Sequence, residues 1–120
     1  MVDILKFINK KLTGIPYEYG EWTGDVSYPY FVGSFTEDDY RFEDGHTGGT
    51  LTIDGWSRES KLELLQYADK IKDAFSDLVE VDGDYAFAIR YGAMQEIPSG
   101  EADLFRVTIT LFTDEWKGEN

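Results

Sequence analysis

Residues 50–78 change hydrophobic period partway along, and that change limits the possible folds more than any other feature of the chain. Residues 50–56 (TLTIDGW) alternate: Leu51, Ile53 and Gly55 face one way, Thr50, Thr52, Asp54 and Trp56 the other. A period of two belongs to a strand with one buried face. Shortly afterwards Leu64, Tyr67, Ala68, Ile71, Ala74, Phe75 and Leu78 fall on one face of a helix, and Lys61, Asp69, Lys70, Lys72, Asp73 and Asp77 fill the rest. Ser57 or Ser60 caps that helix; with Ser60 as N-cap, Glu63 takes the third helical position and completes a capping box. A one-sided strand and a one-sided helix must bury their faces on something. The expected class is therefore α+β, a mostly antiparallel β-sheet packed against one long helix at about 60–78 and a short N-terminal helix at about 3–12.

In the N-terminal helix Asp3 is the expected N-cap, and Ile4, Leu5, Ile8 and Leu12 form the apolar stripe. Gly14 and Pro16 end it, and Lys10 and Lys11 sit in its last turn, where the helix dipole favours cations. Residues 15–35 read as aromatic and extended, punctuated by Gly20, Gly24 and Pro29, with a strand at 30–35. Residues 36–49 read as a long acidic loop or hairpin, mobile or with a short strand around Tyr40 and Phe42. Asp82-Gly83 is a turn, residues 84–91 a strand with Tyr85, Phe87, Ile89 and Tyr91 on one face, and Pro98 and Gly100 mark another turn. Residues 104–112 (LFRVTITLF) are a strand apolar enough to lie centrally in the sheet, and 114–120 is expected to be a frayed tail. The whole, residues 1–120, reads as a single domain without internal repeats.

Charge and composition narrow the partners. The chain carries 11 Lys plus Arg against 24 Asp plus Glu, a formal charge of −13. Such a field disfavours free nucleic acid and anionic membranes. With 42% hydrophobic and 16% aromatic residues, the chain has too much apolar surface for an unfolded acidic polymer. The absence of cysteine excludes disulfides, thiolate metal sites and cysteine nucleophiles. Asp3, Lys6, Asn9, Lys10 and Lys11 interrupt the apolar N-terminus, so it is not read as a signal peptide, and no apolar run approaches a membrane span. The expectation is a soluble protein that stays in the cytoplasm.

The chemistry-bearing residues do not assemble a catalytic site. His46, the sole histidine, lies beside Glu43 and Asp44; a metal would need several converging ligands, and a solvated loop residue is the simpler reading. Asp82 and Asp84 lack the spacing of a calcium loop, and a β-turn accounts for them. Acidic pairs such as Asp38/Asp39 and Glu43/Asp44 are read as a solvated face rather than as a glycosidase pair. The row Tyr17, Tyr19, Trp22, Tyr28 and Tyr30 could stack on sugars, but core and interface packing is preferred. Nucleophile-elbow, phosphate-loop and dinucleotide motifs are missing. No enzyme activity, cofactor or metal is expected.

The order of the motifs points further. GIPYEYG, then YPYFVGSF, then an acidic spacer, then GGTLTIDGWSRESKLELLQYADKIKDAF resembles the tail-completion (tail terminator) proteins of long-tailed bacteriophages and prophages. The residues that carry the likeness are Pro16-Tyr17, Pro29-Tyr30-Phe31-Val32, Thr52-Ile53-Asp54-Gly55-Trp56-Ser57, Ala68-Asp69-Lys70-Ile71 and Arg106-Val107-Thr108-Ile109, spanning about residues 4–112. The Asp/Glu-rich segment 36–46 departs from the family pattern, which leaves its role open. The resemblance implies a structural virion protein with an α+β fold and no catalytic residues. It also implies a ring, usually a hexamer, that caps the head-proximal end of the tail tube and joins it to the head connector. The partners would be further copies of itself, the tail-tube protein and head–tail connector proteins, first in the host bacterial cytoplasm and then at the head–tail junction of the virion.

Charge asymmetry fits such a ring, whose subunits meet through two different patches. Residues 1–13 hold three Lys and one Asp, net +2, which leaves −15 for residues 14–120. The candidate interface residues are Lys6, Lys10, Lys11, Tyr17, Tyr19, Trp22, Asp38, Asp39, Glu43 and Asp44. Two other classes suit the composition: a small acidic adaptor or inhibitor that binds a basic protein, including one that mimics nucleic-acid charge, and a carbohydrate-binding module built on the aromatic row 17–30.

Overall fold

The computed structural model describes residues 2–41, 46–58, 60–82 and 85–117, with side chains for 3–37, 46–58, 60–81 and 85–116. Two helices and six strands follow in the order α1 (Val2–Lys11), β1 (Tyr17–Tyr19), β2 (Tyr30–Arg41), β3 (Thr47–Arg58), α2 (Lys61–Phe75), β4 (Leu78–Asp82), β5 (Tyr85–Ile97) and β6 (Leu104–Lys117). The strands form one six-stranded sheet in the order β1-β2-β3-β6-β5-β4. Four neighbouring pairs are antiparallel, and β1 runs parallel to β2. The class is mixed α+β and mostly sheet, and β6 lies inside it, between β3 and β5.

Both helices bury their stripes in one apolar layer. Ile4 and Ile8 of α1, Leu12 just after it, and Leu64, Ala68, Ile71 and Phe75 of α2 meet an inward row formed by Phe31, Leu51, Ile53, Phe87, Ile89, Val107, Ile109 and Leu111. The alternation read along β3 holds: Leu51, Ile53, Gly55 and Ser57 are buried and the residues between them half-buried. Pairing of Leu51 with Leu111 and Ile53 with Ile109 sets the inward rows of β3 and β6 side by side. On β5 the register shifts between Tyr91 and Ala93, and beyond the shift Met94 lies opposite Ile109 and packs against the core.

Several boundaries differ from the sequence-based expectation. Helix α2 stops at Phe75 rather than near residue 78: Ser76 is extended, Asp77 takes φ +53°, and Leu78 opens β4. Leu78 packs against the core from the strand, so its place on the helical stripe does not distinguish helix from strand. Ser60 is the N-cap and its hydroxyl accepts from the Glu63 N–H at 3.1 Å, while the Ser60 N–H donates to the Arg58 carbonyl. Asp3, expected as the N-cap, is instead the second residue of α1, in its first turn. The segment 36–49, expected as an acidic loop or hairpin, is the far end of the antiparallel β2–β3 pair, since β2 reaches Arg41 and β3 begins at Thr47; residues 42–45, Phe42 among them, lie outside the described residues. The expected frayed tail is strand as far as Lys117, with Trp116 paired to Ala86, and residues 118–120 lie outside the described residues. The three-residue β1 was read only as extended chain, and β5 runs on past residue 91 to Ile97.

Glycine and aromatic residues interlock across the sheet. Gly55 lies opposite Phe31, and a Cβ on Gly55 would penetrate the Phe31 ring; Gly33 lies in the same way against Tyr17, Gly49 against Phe35 and Gly92 against Phe112. Bare backbone lets each ring lie close to the sheet, and on the inner face, where Tyr17, Phe31 and Phe35 lie, this keeps the apolar layer thin. Gly55→Ala should therefore destabilise the fold by about 1–3 kcal/mol, and Ser60→Ala by about 1 kcal/mol through loss of the cap. Equilibrium denaturation of the two variants measures both; a Gly55→Ala chain as stable as the parent would overturn the packing account.

Candidate functional site

Helix α1 turns Ile4 and Ile8 to the core, and its 3.6-residue period leaves Lys6, Lys10 and Lys11 exposed on the other side. These lysines and Asp3 stand over a concavity of about 640 Å³, whose other walls are Glu80 and Val81 of β4 and Tyr85 and Phe87 of β5. The floor is aromatic: Phe7 and Phe87 have ring centroids 5.8 Å apart, and Tyr85 stacks on Phe87 at 6.0 Å. The Lys11 ammonium lies 5.8 Å from the Phe7 ring centroid. Val79 and Val81, both alternate residues of the edge strand β4, are 69% and 68% exposed.

The aromatic row 17–30 does not share one face. Tyr17 packs against the core, and burial, with the neighbouring Tyr19 second, holds its hydroxyl well above the ordinary tyrosine range. Tyr19 is exposed at the opposite sheet edge from β4. The Trp22 indole N–H donates to the Asp25 carbonyl at 3.2 Å, and its ring lies 5.2 Å from that of Tyr30. Glu18 fastens the segment that follows β1, its carboxylate accepting from the Thr23 N–H at 2.7 Å and hydroxyl at 3.0 Å.

Tyr30 belongs to a cluster on the outer sheet face that gathers Trp22 and Tyr28 of the row with Trp56, Arg58 and Arg106, which the sequence did not single out as site residues. It stacks on Trp56 at 5.1 Å and 21°, with Tyr28 at 5.6 Å. The Arg106 guanidinium lies over Trp56 at 5.5 Å, and that of Arg58 over Tyr28 at 5.7 Å. Arg58 also bridges Glu101 at 2.8 Å and Asp103 at 3.0 Å; the Glu101 hydrogen bond leads the causes that raise its already high pKa. Asp54 accepts from the Thr108 hydroxyl at 2.6 Å and from Arg106 at 3.3 Å. These charges are largely satisfied within the chain, and the arrangement suits a rigid platform better than acid–base work. The signal in the sequence was the polar side of the 50–56 alternation; what it lacked was the register that sets Trp56 opposite Arg106.

The remaining candidates are dispersed. Asp38 and Asp39 lie on the β2 backbone, but their side chains are outside those described, and Glu43 and Asp44 lie outside the described residues altogether. The side chain of Asp82 and all of Asp84 are likewise outside the described set. His46 is ordered beside β6: its Nε2 is 3.2 Å from Asp114 and its ring 4.6 Å from that of Trp116. Among the described residues, no group of three His, Cys, Asp or Glu could hold a metal ion, and no helix is long and apolar enough to cross a membrane.

No protein-family model matches the chain, and no curated protein does. A solved structure of a hypothetical protein is similar over 96% of this chain and 89% of its own length, with a TM-score of 0.66 and 14% identity. At that identity the likeness is one of fold alone.

Tyr17 yields a pH prediction. Because its folded pKa lies above the unfolded value, its contribution to stability is intact below about pH 10 and is lost as pH rises toward the folded value. Burial also raises Tyr30 and Tyr91, helped by Tyr28 and Asp69 respectively, so the same loss includes them. Unfolding free energy should fall above about pH 10, and Tyr17→Phe should make that fall shallower in denaturant titrations at stepped pH.

Proposed function

We propose that this chain is a structural subunit of a ring that caps the head-proximal end of a phage tail tube and joins it to the head connector. The observation that carries the proposal is where the motifs fall on the secondary-structure elements. Pro16-Tyr17 opens β1, Pro29 leads into β2, Thr52 to Ser57 close β3, Ala68 to Ile71 lie within α2, and Arg106 to Ile109 run along β6. The sequence pieces that resemble tail terminators thus sit at the starts, ends and cores of successive elements, where such patterns have structural reasons to exist. An α+β sheet backed by helices is also the architecture that the resemblance implies.

In this reading the work is assembly rather than catalysis. Ring formation ends polymerisation of the tube by covering the surface that the next tube subunit needs. The acidic balance of −13 suits a conduit for DNA, because a lumen poor in Lys and Arg gives passing phosphates little to bind. The protein would act first in the host bacterial cytoplasm and then remain at the head–tail junction.

The test is to add the purified chain to a polymerising phage tail-tube protein from the same genome. Capped tubes of limited length, with a ring at one end in electron micrographs and close to six copies by mass, are expected. Unchanged tube growth, or a stable complex with a basic nucleic-acid enzyme instead, overturns the proposal in favour of the acidic adaptor.

A further inference from the structure

The two edges of the sheet differ in charge as well as in sequence. At one edge, β4 has no strand beyond it among the described residues, and its exposed Val79 and Val81 offer an apolar pairing edge. Beside it stand Lys6, Lys10 and Lys11, against which the same concavity sets Asp3 and Glu80. The α1 lysines make a local positive spot in a chain of −13, while β4 itself carries Glu80 and Asp82. At the other edge lies β1, with the segment that follows it. Residues 14–29 contain Glu18, Glu21 and Asp25 and no Lys or Arg. Apolar residues are exposed here too, Tyr19 at 42% and Val26 at 52%.

We infer that the β4–α1 edge of one copy docks on the β1 edge and residues 20–28 of a second copy, so that subunits join head to tail. Two β1 edges would set carboxylates against carboxylates, and two β4–α1 edges would leave the lysines only the acidic residues of β4 itself, Glu80 and Asp82, to meet. Unlike edges bring lysines to carboxylates and exposed Val79 and Val81 to Tyr19 and Val26. Edge-to-edge contact lets main-chain groups extend the sheet between copies, while the charges choose the partner edge. A contact between two different patches leaves one of each free on every dimer, so it propagates and closes into a ring when the rotation allows. The inference rests on the ring reading above and names the surfaces that make the ring.

The chain has no cysteine, so introduced thiols report without background. Val81→Cys and Tyr19→Cys chains, assembled in the presence of the tail-tube protein and treated with a short bismaleimide, should cross-link when mixed and not when either is alone. A chain carrying both changes should give a ladder. Lys6→Glu, Lys10→Glu and Lys11→Glu together should lower the cross-link yield about tenfold or more, and Glu21→Lys with Asp25→Lys on the Tyr19→Cys chain should restore it. Raised salt should weaken the parent pair. Cross-linking of Val81→Cys to itself overturns the inference. Rings that cap tubes without the mixed cross-link also overturn it, and they leave the tail-terminator reading standing. Mixed cross-links and ladders with no effect on tube growth uphold the edge pairing and remove the tail reading instead.

Discussion

Between the sheet and its two helices lies one apolar layer, with Ile53, Ile109 and Leu111 fully buried within it. Everything else is arranged around keeping that layer dry. The layer has to be thin, because two short helices supply most of its cover: α1 offers Ile4 and Ile8, with Leu12 just beyond it, and α2 offers Leu64, Ala68, Ile71 and Phe75. Rings laid over bare glycine backbone are how the sheet keeps a flat inner surface with so many aromatic residues. Phe31 on Gly55 and Phe35 on Gly49 fill space that upright side chains would have left as ridges and voids.

With one face of the sheet committed to the helices, the other must be made compatible with water without helical cover. Here the chain uses charge against π-faces. Arg106 lies over Trp56, Arg58 over Tyr28 and Arg90 over Phe112, so large rings are shielded by guanidinium groups. Carboxylates then anchor two of these arginines, Asp54 for Arg106 and Glu101 with Asp103 for Arg58. Several of the few cations in an acidic protein are thus spent inside the chain. The lysines of α1 differ in kind, because they border a concavity and an open strand edge.

What could be read in advance was what is local. The alternation of Leu51 and Ile53 and the stripe from Leu64 to Phe75 each lie within one element, so periodicity reveals them. So do Lys6, Lys10 and Lys11, whose shared face needs only the turn of a single helix. Leu78 misled because burial there satisfies a helical stripe and a strand equally. Strand β1 was hidden by its length of three residues, too short for any period. The outer cluster was hidden for another reason: Arg106 and Asp54 are 52 positions apart, and only the pairing of β3 with β6 brings them together. Tyr17 resembled its exposed neighbours in composition and differs from them only in where the β1–β2 pairing sends it.

The position of β6 in the sheet has a consequence for the life of the chain before it folds. It is synthesised after the other five strands, yet it stands between β3 and β5. A nascent chain that has emerged only as far as the turn before β6 holds two strand groups, β1-β2-β3 and β4-β5, that no strand pairing joins and only the helices can bridge, α2 packing on both β3 and β5. Both outer borders of the sheet then exist before its middle does. The hydrogen-bonded spacing between the two borders is complete only once this last strand is paired on both sides.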